Sequence, residues 1–269
     1  MISISSSKND KIRDLIRFRN KNGRNTQNQI LIEGSREIER ALAAGIVPRE
    51  IYFCPELLPE GSKNNLFLKI MNTFPQADFY QLTAPVFETI AYKNNPFGLL
   101  VMAEYQPRCF SEIVLPANPA CLICDNIEKP GNLGALLRTA DGVGMHAIYQ
   151  TGSLTDFRNP NVIRASTGAL FSLNYAQPAA EELIRYLKIR GIKIIAADPE
   201  GELIYSDVDY LSGYALVVGA EDRGLSEIYR QNADHLVRIP MLGAADSLNV
   251  HQAATVILFE ALRQRGFKN

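Results

Sequence analysis

From residue 121 onward, short apolar runs alternate with longer stretches that carry helical spacing. Cys121–Asp125, Ala147–Gln150, Lys193–Ala197, Tyr214–Gly219 and His235–Ile239 are strand candidates, and Asn132–Asp141, Ala180–Arg190 and Leu248–Arg265 are helix candidates. The last places Val250, Ala254, Ile257, Leu258, Ala261 and Leu262 on one broad apolar face. Alternation of this kind predicts an α/β domain with a mainly parallel sheet, because a helix between two strands is the connection that parallel pairing requires.

The N-terminal third reads as a separate small α/β unit. Lys8–Arg19 sets Ile12, Leu15, Ile16 and Phe18 on a mostly helical spacing, and Ser35–Ala44 is a helix candidate closed by Gly45. Gln29–Glu33, Glu50–Cys54 and Gly98–Glu104 are strand candidates, and Leu66–Phe74 has helical spacing. Between residues 105 and 120, Pro107, Pro116 and Pro119 suppress regular structure. The expected organisation is therefore a domain over 1–105, a linker over 106–120 and a second domain over 121–269, which suits a length of 269 residues.

A formal net charge of −1 excludes a histone-like chain whose whole surface advertises nucleic acid. It conceals an asymmetry. Residues 1–24 hold seven basic side chains, Lys11, Arg13, Arg17 and Arg24 among them, against Asp10 and Asp14, a net +5 that leaves −6 for the other 245 residues. Such a segment suits either a solvated helix face or contact with phosphates. The four cysteines are too few for a disulfide scaffold, no N-terminal stretch has the order of a secretory signal, and no apolar run reaches the ~20 residues needed to span a bilayer. A reduced, cytoplasmic protein without membrane contact is expected.

Two short motifs fail their context. Cys121-Leu-Ile-Cys124 has the spacing of a redox or zinc pair, but in a strand positions i and i+3 face opposite sides, so core packing is expected. Gly142-Val-Gly-Met-His-Ala147 matches a dinucleotide fingerprint in the wrong order, helix before glycines before strand.

Three other segments are unusual for a plain core. In Asp125–Ala140 a strand gives way to a polar Pro-Gly loop and a helix near Asn132, a good N-cap; Arg138 follows inside an apolar helix, where a guanidinium needs an anionic or carbonyl partner. In Leu216–Leu225 a buried strand runs into Gly219, Glu221 and Gly224. In Leu236–Val250 a strand leads through a loop to a helix that Ser247 or Asp246 would cap, with Asn249 just inside it. The three polar loops fall at one edge of one sheet, where α/β proteins bind ligands.

These segments resemble the three motifs of the SpoU-type ribose methyltransferases of the SPOUT superfamily. Asn132, Gly134, Arg138 and Thr139 meet the first, Gly219, Glu221 and Gly224 the second, and Ile239 to Met241 with Ser247 to Val250 the third. The N-terminal third, through its basic start and Ile32-Glu33-Gly34-Ser35, is similar to the substrate-binding domain of the ribosomal-RNA branch. The sequence departs from the pattern at His251, where the family commonly has a small residue.

The resemblance implies a C-terminal trefoil-knotted, mainly parallel α/β domain behind a small α/β RNA-binding domain. It implies a homodimer, and S-adenosylmethionine-dependent methyl transfer to a ribose 2′-hydroxyl of RNA, ribosomal RNA before transfer RNA. Gly219, Ile239, Met241 and Leu248 would hold the cofactor. Arg138 would bind the neighbouring phosphate and stabilise developing alkoxide, while Asn132, Glu221, Ser247 and Asn249 orient the arrangement. Lys11, Arg13, Arg17 and Arg24 would face the RNA, and no metal is implied. A non-catalytic RNA-binding protein that keeps the fold is the alternative.

Overall fold

A computed structural model of the chain describes residues 1–18, 28–59, 65–92, 95–152 and 154–268. Arg24 lies outside the described residues. The chain separates into two compact units: residues 1–106 with 156–172, and residues 107–155 with 173–269. The stretch 156–172 belongs to the first unit although it lies within the second part of the sequence, and no sequence signal foreshadows that.

The first unit contains strands β1 (Ile2–Ile4), β2 (Gln29–Glu33), β3 (Pro48–Phe53), β4 (Asp78–Leu82) and β5 (Leu99–Glu104), with helices α1 (Asp10–Phe18), α2 (Ser35–Ala43), α3 (Asn65–Thr73) and α4 (Ala84–Ile90). The sheet order is β1-β4-β3-β5-β2, parallel except where β5 runs against β3 and β2. One core gathers Ile12, Leu15 and Phe18 of α1 with Tyr52, Tyr80 and Phe87. The apolar side of α1 is therefore spent on packing, and its charges face outward. Gly45 ends α2 at φ 82°, a left-handed turn that lets the Ile46 amide donate to the Ala41 carbonyl. The returning stretch 156–172 carries α6 (Pro160–Ala165), started by Asn159, whose side chain accepts the Asn161 amide.

The second unit carries β6 (Ala120–Asp125), α5 (Pro130–Gly142), β7 (Ala147–Thr151), β8 (Tyr175–Ala176), α7 (Ala180–Ile189), β9 (Lys193–Ala197), β10 (Leu203–Ile204), β11 (Tyr214–Val218), α8 (Glu227–Asn232), β12 (His235–Arg238) and α9 (Val250–Gln264). Its sheet order is β10-β12-β9-β11-β6-β7-β8, and every pairing is parallel. β6, β7 and β11 are buried along their whole length, which is why they read as unbroken apolar runs. From β6 the chain winds one way to β7 and β8, then crosses to build β9, β11 and β12 on the other side, so the winding reverses beside β6.

Cys121 and Cys124 are both fully buried within β6, and burial pushes each thiol up to about 12. Cys121 packs into the core with Ile123 and Val217. Two thiols held protonated on opposite faces of a strand fill space and do no redox work.

Candidate active site

The site lies at the carboxyl ends of the strands, where the winding reverses. Asp125, at the end of β6 and buried, organises it. Its Oδ1 accepts from the Thr151 hydroxyl at 3.2 Å and from Asn126 Nδ2 at 3.0 Å, and its Oδ2 accepts the Ser226 amide at 2.8 Å. One carboxylate thus ties the exits of β6 and β7 to the loop that follows β11.

That loop is fixed by glycine. A Cβ on Gly219 would sit 2.3 Å from the Gly224 carbonyl oxygen, so only glycine fits. The Gly224 amide donates to the Ala220 carbonyl at 2.8 Å, and Gly224 itself adopts φ 65°. The hairpin-like fold turns Glu221 towards α5.

Three segments meet at Glu221. Its carboxylate accepts from Asn132 Nδ2, from Lys129 Nζ and, at 2.8 Å, from Asn249 Nδ2. The bond to Glu221 raises the Lys129 ammonium above its usual value, so it stays a cation. Pro130 occupies the first helical position of α5, where its missing amide costs nothing. Asn132 therefore falls inside the first turn instead of capping it, and its side chain is released to reach Glu221. Asn249, expected just inside the last helix, is its N-cap: Oδ1 accepts the His251 amide at 3.0 Å, while neither Ser247 nor Asp246 takes that role. One side chain both starts α9 and binds Glu221.

A cavity of about 130 Å³ opens beside this network, lined by Gly219, Glu221, Ile239, Met241, Ser247 and Leu248 among others. Val218, Val250 and Ile257 make much of its wall apolar, and Asp198, at the end of β9, is its buried acid. A smaller hollow next to it is lined by Lys129, Asn132, Glu221 and Val250.

The structure differs from the sequence reading at Arg138. Its neighbours Leu136, Leu137 and Ala140 are buried, but Arg138 falls on the outward stripe of α5 and is exposed. The guanidinium is solvated in the single chain, with no hydrogen bond or ion pair among the described residues, so it requires no internal partner. Thr139 beside it bonds Thr255 of α9 at 3.1 Å, joining the two helices. Ser247 lines the cavity but is exposed and joins no bond of the Glu221 network. Sequence reasoning missed Lys129, although a lysine just before a helix-opening proline was a visible signal.

In the first unit, the basic residues of α1 are partly compensated. Lys11 lies 2.5 Å from Glu50, Arg13 is 3.4 Å from Asp10, and Arg17 is 3.5 Å from Asp14. Arg13 and Arg17 remain well exposed, whereas Lys11 also lies over the Tyr80 ring, and Glu50 accepts from Tyr52 as well.

An all-parallel sheet with a glycine-bounded cavity at its reversal point, flanked by a carboxylate-carboxamide cluster, defines an α/β domain built to hold a nucleotide-like ligand beside a polar reaction site. The SpoU rRNA Methylase family model matches residues 119–259, and an MRM3-like substrate binding domain model matches residues 9–101. The chain belongs to the SpoU rRNA methylase family. It is 30% identical over 246 residues to the 23S rRNA (uridine(2479)-2′-O)-methyltransferase of Streptomyces viridochromogenes, covering 88% of this chain and 76% of that protein. It is 25% identical to the 23S rRNA (guanosine(2553)-2′-O)-methyltransferase RlmP of Bacillus subtilis (strain 168), covering 96% and 98%. The crystal structure of the SpoU methyltransferase AviRb from Streptomyces viridochromogenes in complex with AdoMet superposes with a TM-score of 0.87 at 27% identity, covering 97% of this chain and all of that one.

Proposed function

We propose that this protein transfers a methyl group from S-adenosylmethionine to a ribose 2′-hydroxyl of ribosomal RNA. The observation that carries the reading is the convergence of Asn132, Glu221 and Asn249, remote in sequence, at the mouth of the cavity lined by Gly219, Ile239 and Leu248. The residues present fit the cofactor. The apolar wall suits an adenine, and the loop at Gly219 and the strand exit at Ile239 offer backbone groups.

Bound S-adenosylmethionine supplies a methyl already activated on a sulfonium. The chain's own residues then have to place the 2′-hydroxyl in line and deal with its proton. Glu221 already accepts from three donors, so it serves as the anchor that sets the Asn132 and Asn249 carboxamides. A guanidinium is not a general base, so Arg138 takes another part. Exposed on α5, it is free to bind the phosphate next to the target ribose and to stabilise negative charge developing on the 2′-oxygen, with water or a phosphate oxygen accepting the proton. The first unit positions the RNA, with Arg13 and Arg17 as phosphate contacts.

A homodimer, in which the exposed Arg138 faces RNA held between two copies, completes this reading. The return of the chain from β12, an inner strand between β9 and β10, to α9 supports the trefoil knot. Among the described residues no helix is long and apolar enough to cross a membrane; with RNA as substrate, the proposed location is the cytoplasm. Transfer of a labelled methyl group to total RNA, followed by mapping of the modified ribose, tests the activity. Label confined to transfer RNA would move the substrate assignment, and no label on any RNA would favour the non-catalytic alternative.

A further inference from the structure

The peptide that leads into α5 is held by a side chain from another loop. Lys129 is the residue on which α5 begins: its carbonyl accepts the Asn132 amide at 3.0 Å and the Leu133 amide at 3.1 Å. The side chains of Lys129 and Asn132 both donate to Glu221. The placement of the Glu128–Lys129 peptide therefore governs two of the donors that Glu221 gathers. The Glu128 carbonyl of that peptide accepts from the Thr155 hydroxyl at 2.5 Å, across 27 residues of chain.

Thr155 is itself fixed. It lies in the loop after β7 and is 3% exposed. Its carbonyl accepts from Gln150 Nε2 at 2.8 Å. Gln150 is fully buried in β7, and its Oε1 accepts in turn from Gln177 Nε2 at 3.0 Å and from the Tyr175 hydroxyl. The β7–β8 edge of the sheet thus braces Thr155, and Thr155 braces the start of α5. A valine would fill the same space without a buried hydroxyl to satisfy, so the hydroxyl's contribution is the bond to Glu128. Position adds to this. Thr155 is the last residue of the second unit before the chain enters 156–172, where Phe157 packs on Tyr105 with ring centres 5.8 Å apart within the first unit. The brace stands at a covalent junction between the unit proposed to carry the RNA and the unit that holds the reaction site.

We propose that Thr155 is a positioning residue for methyl transfer: its hydroxyl fixes the Glu128–Lys129 peptide, and through it the Lys129 and Asn132 side chains at Glu221. The inference rests on the methyltransferase reading above. Misplacement by about 1 Å can cost on the order of 100-fold in rate without removing any contact to a ligand, so the effect falls on turnover and spares affinity.

The test is methyl transfer from S-adenosylmethionine to unmodified ribosomal RNA by the full chain and three variants. Thr155→Val replaces the hydroxyl with a methyl group of similar size. Its kcat should fall by about 10-fold or more, while the KM for RNA and the calorimetric affinity for S-adenosylhomocysteine stay close to those of the unaltered protein. Thr155→Ser and Thr155→Ala both lack the γ-methyl group and differ only in the hydroxyl. Thr155→Ser should keep most of the activity, and Thr155→Ala should behave like Thr155→Val. An unchanged kcat in Thr155→Val, or equal kcat in the serine and alanine variants, would overturn the proposal. Loss of turnover, RNA affinity and cofactor affinity together with a lowered Tm would mark Thr155 as structural only and overturn it too, as would failure of both hydroxyl-free variants to fold. No transfer by the unaltered protein to any RNA would overturn the methyltransferase reading itself, and the inference with it.

Discussion

Asn249 Nδ2 donates to Glu221 Oε1 at 2.8 Å while its Oδ1 accepts the His251 amide at 3.0 Å. A helix start and a site contact are thereby made by the two ends of one carboxamide. Asn249→Asp separates the two tasks. The cap survives, since aspartate caps as well as asparagine, but a carboxylate then faces Glu221. Methyl transfer should fall by about 10-fold or more while the thermal midpoint stays close to wild type. Asn249→Ala should lower both, with roughly 1 kcal/mol lost from the cap alone. A thermal melt beside a methylation assay distinguishes the two.

Arg138 gives the opposite expectation to a buried ion-pair partner. Exposed on α5, it should be removable by Arg138→Ala within about 0.5 kcal/mol of wild-type stability. Methyl transfer should nevertheless be abolished, with cofactor affinity nearly unchanged. Cofactor affinity that falls in parallel with activity would place the guanidinium at the cofactor instead of the RNA.

The basic residues of α1 should divide by partner. Arg13→Gln with Arg17→Gln should weaken RNA binding and flatten its salt dependence, by roughly 0.7–0.9 in the logarithmic slope for each phosphate no longer neutralised. Lys11→Met should act chiefly on stability, because it removes the cation that Glu50 shares with the Tyr52 hydroxyl. Filter binding at several salt concentrations measures the first effect, and a melt the second. A salt slope that does not move would remove α1 from the RNA-binding surface.

His146 should make the second unit sensitive to mild acid. Its Nδ1 accepts the Ala120 amide at 3.0 Å, and burial, followed by the Arg265 charge, lowers its pKa from the ordinary 6.5. A histidine with a lowered folded value binds fewer protons when folded than when unfolded. Its contribution is complete above pH 6.5 and is lost as pH falls through the folded value. The midpoint should therefore drop as pH falls below 6.5, and His146→Gln should flatten that part of the curve. Equal slopes for the two proteins would exclude His146 as the cause.

The strands of the second unit are legible in the sequence because a parallel strand buried on both faces is a plain apolar run, as at Leu216–Val218 and Leu122–Cys124. β8 and β10, two residues each, and α8, with Tyr229 its one buried residue, carry too little pattern to be read. Asn249 reads as one step too far into α9 because Leu248 extends the apolar spacing past the true start. Arg138 reads as needing an internal partner because its apolar neighbours suggest burial, whereas the helix turns residue 138 to solvent. The meeting of Asn132 with Glu221, 89 residues apart, has no local signature, and only the spacing of the three motifs anticipates it.

β12 enters the sheet between β9 and β10, and Asn249 arrives only as α9 begins. During synthesis the edge of β9 consequently stays open until β12 has emerged, and the pocket beside it stays unfinished until α9 follows. Pairings that span so much sequence form slowly, and an unpaired apolar strand is prone to aggregate while it waits. The order of the strands thus acts as a timer: binding competence comes last, and low growth temperature or chaperone supply should govern how much of the protein ever reaches it.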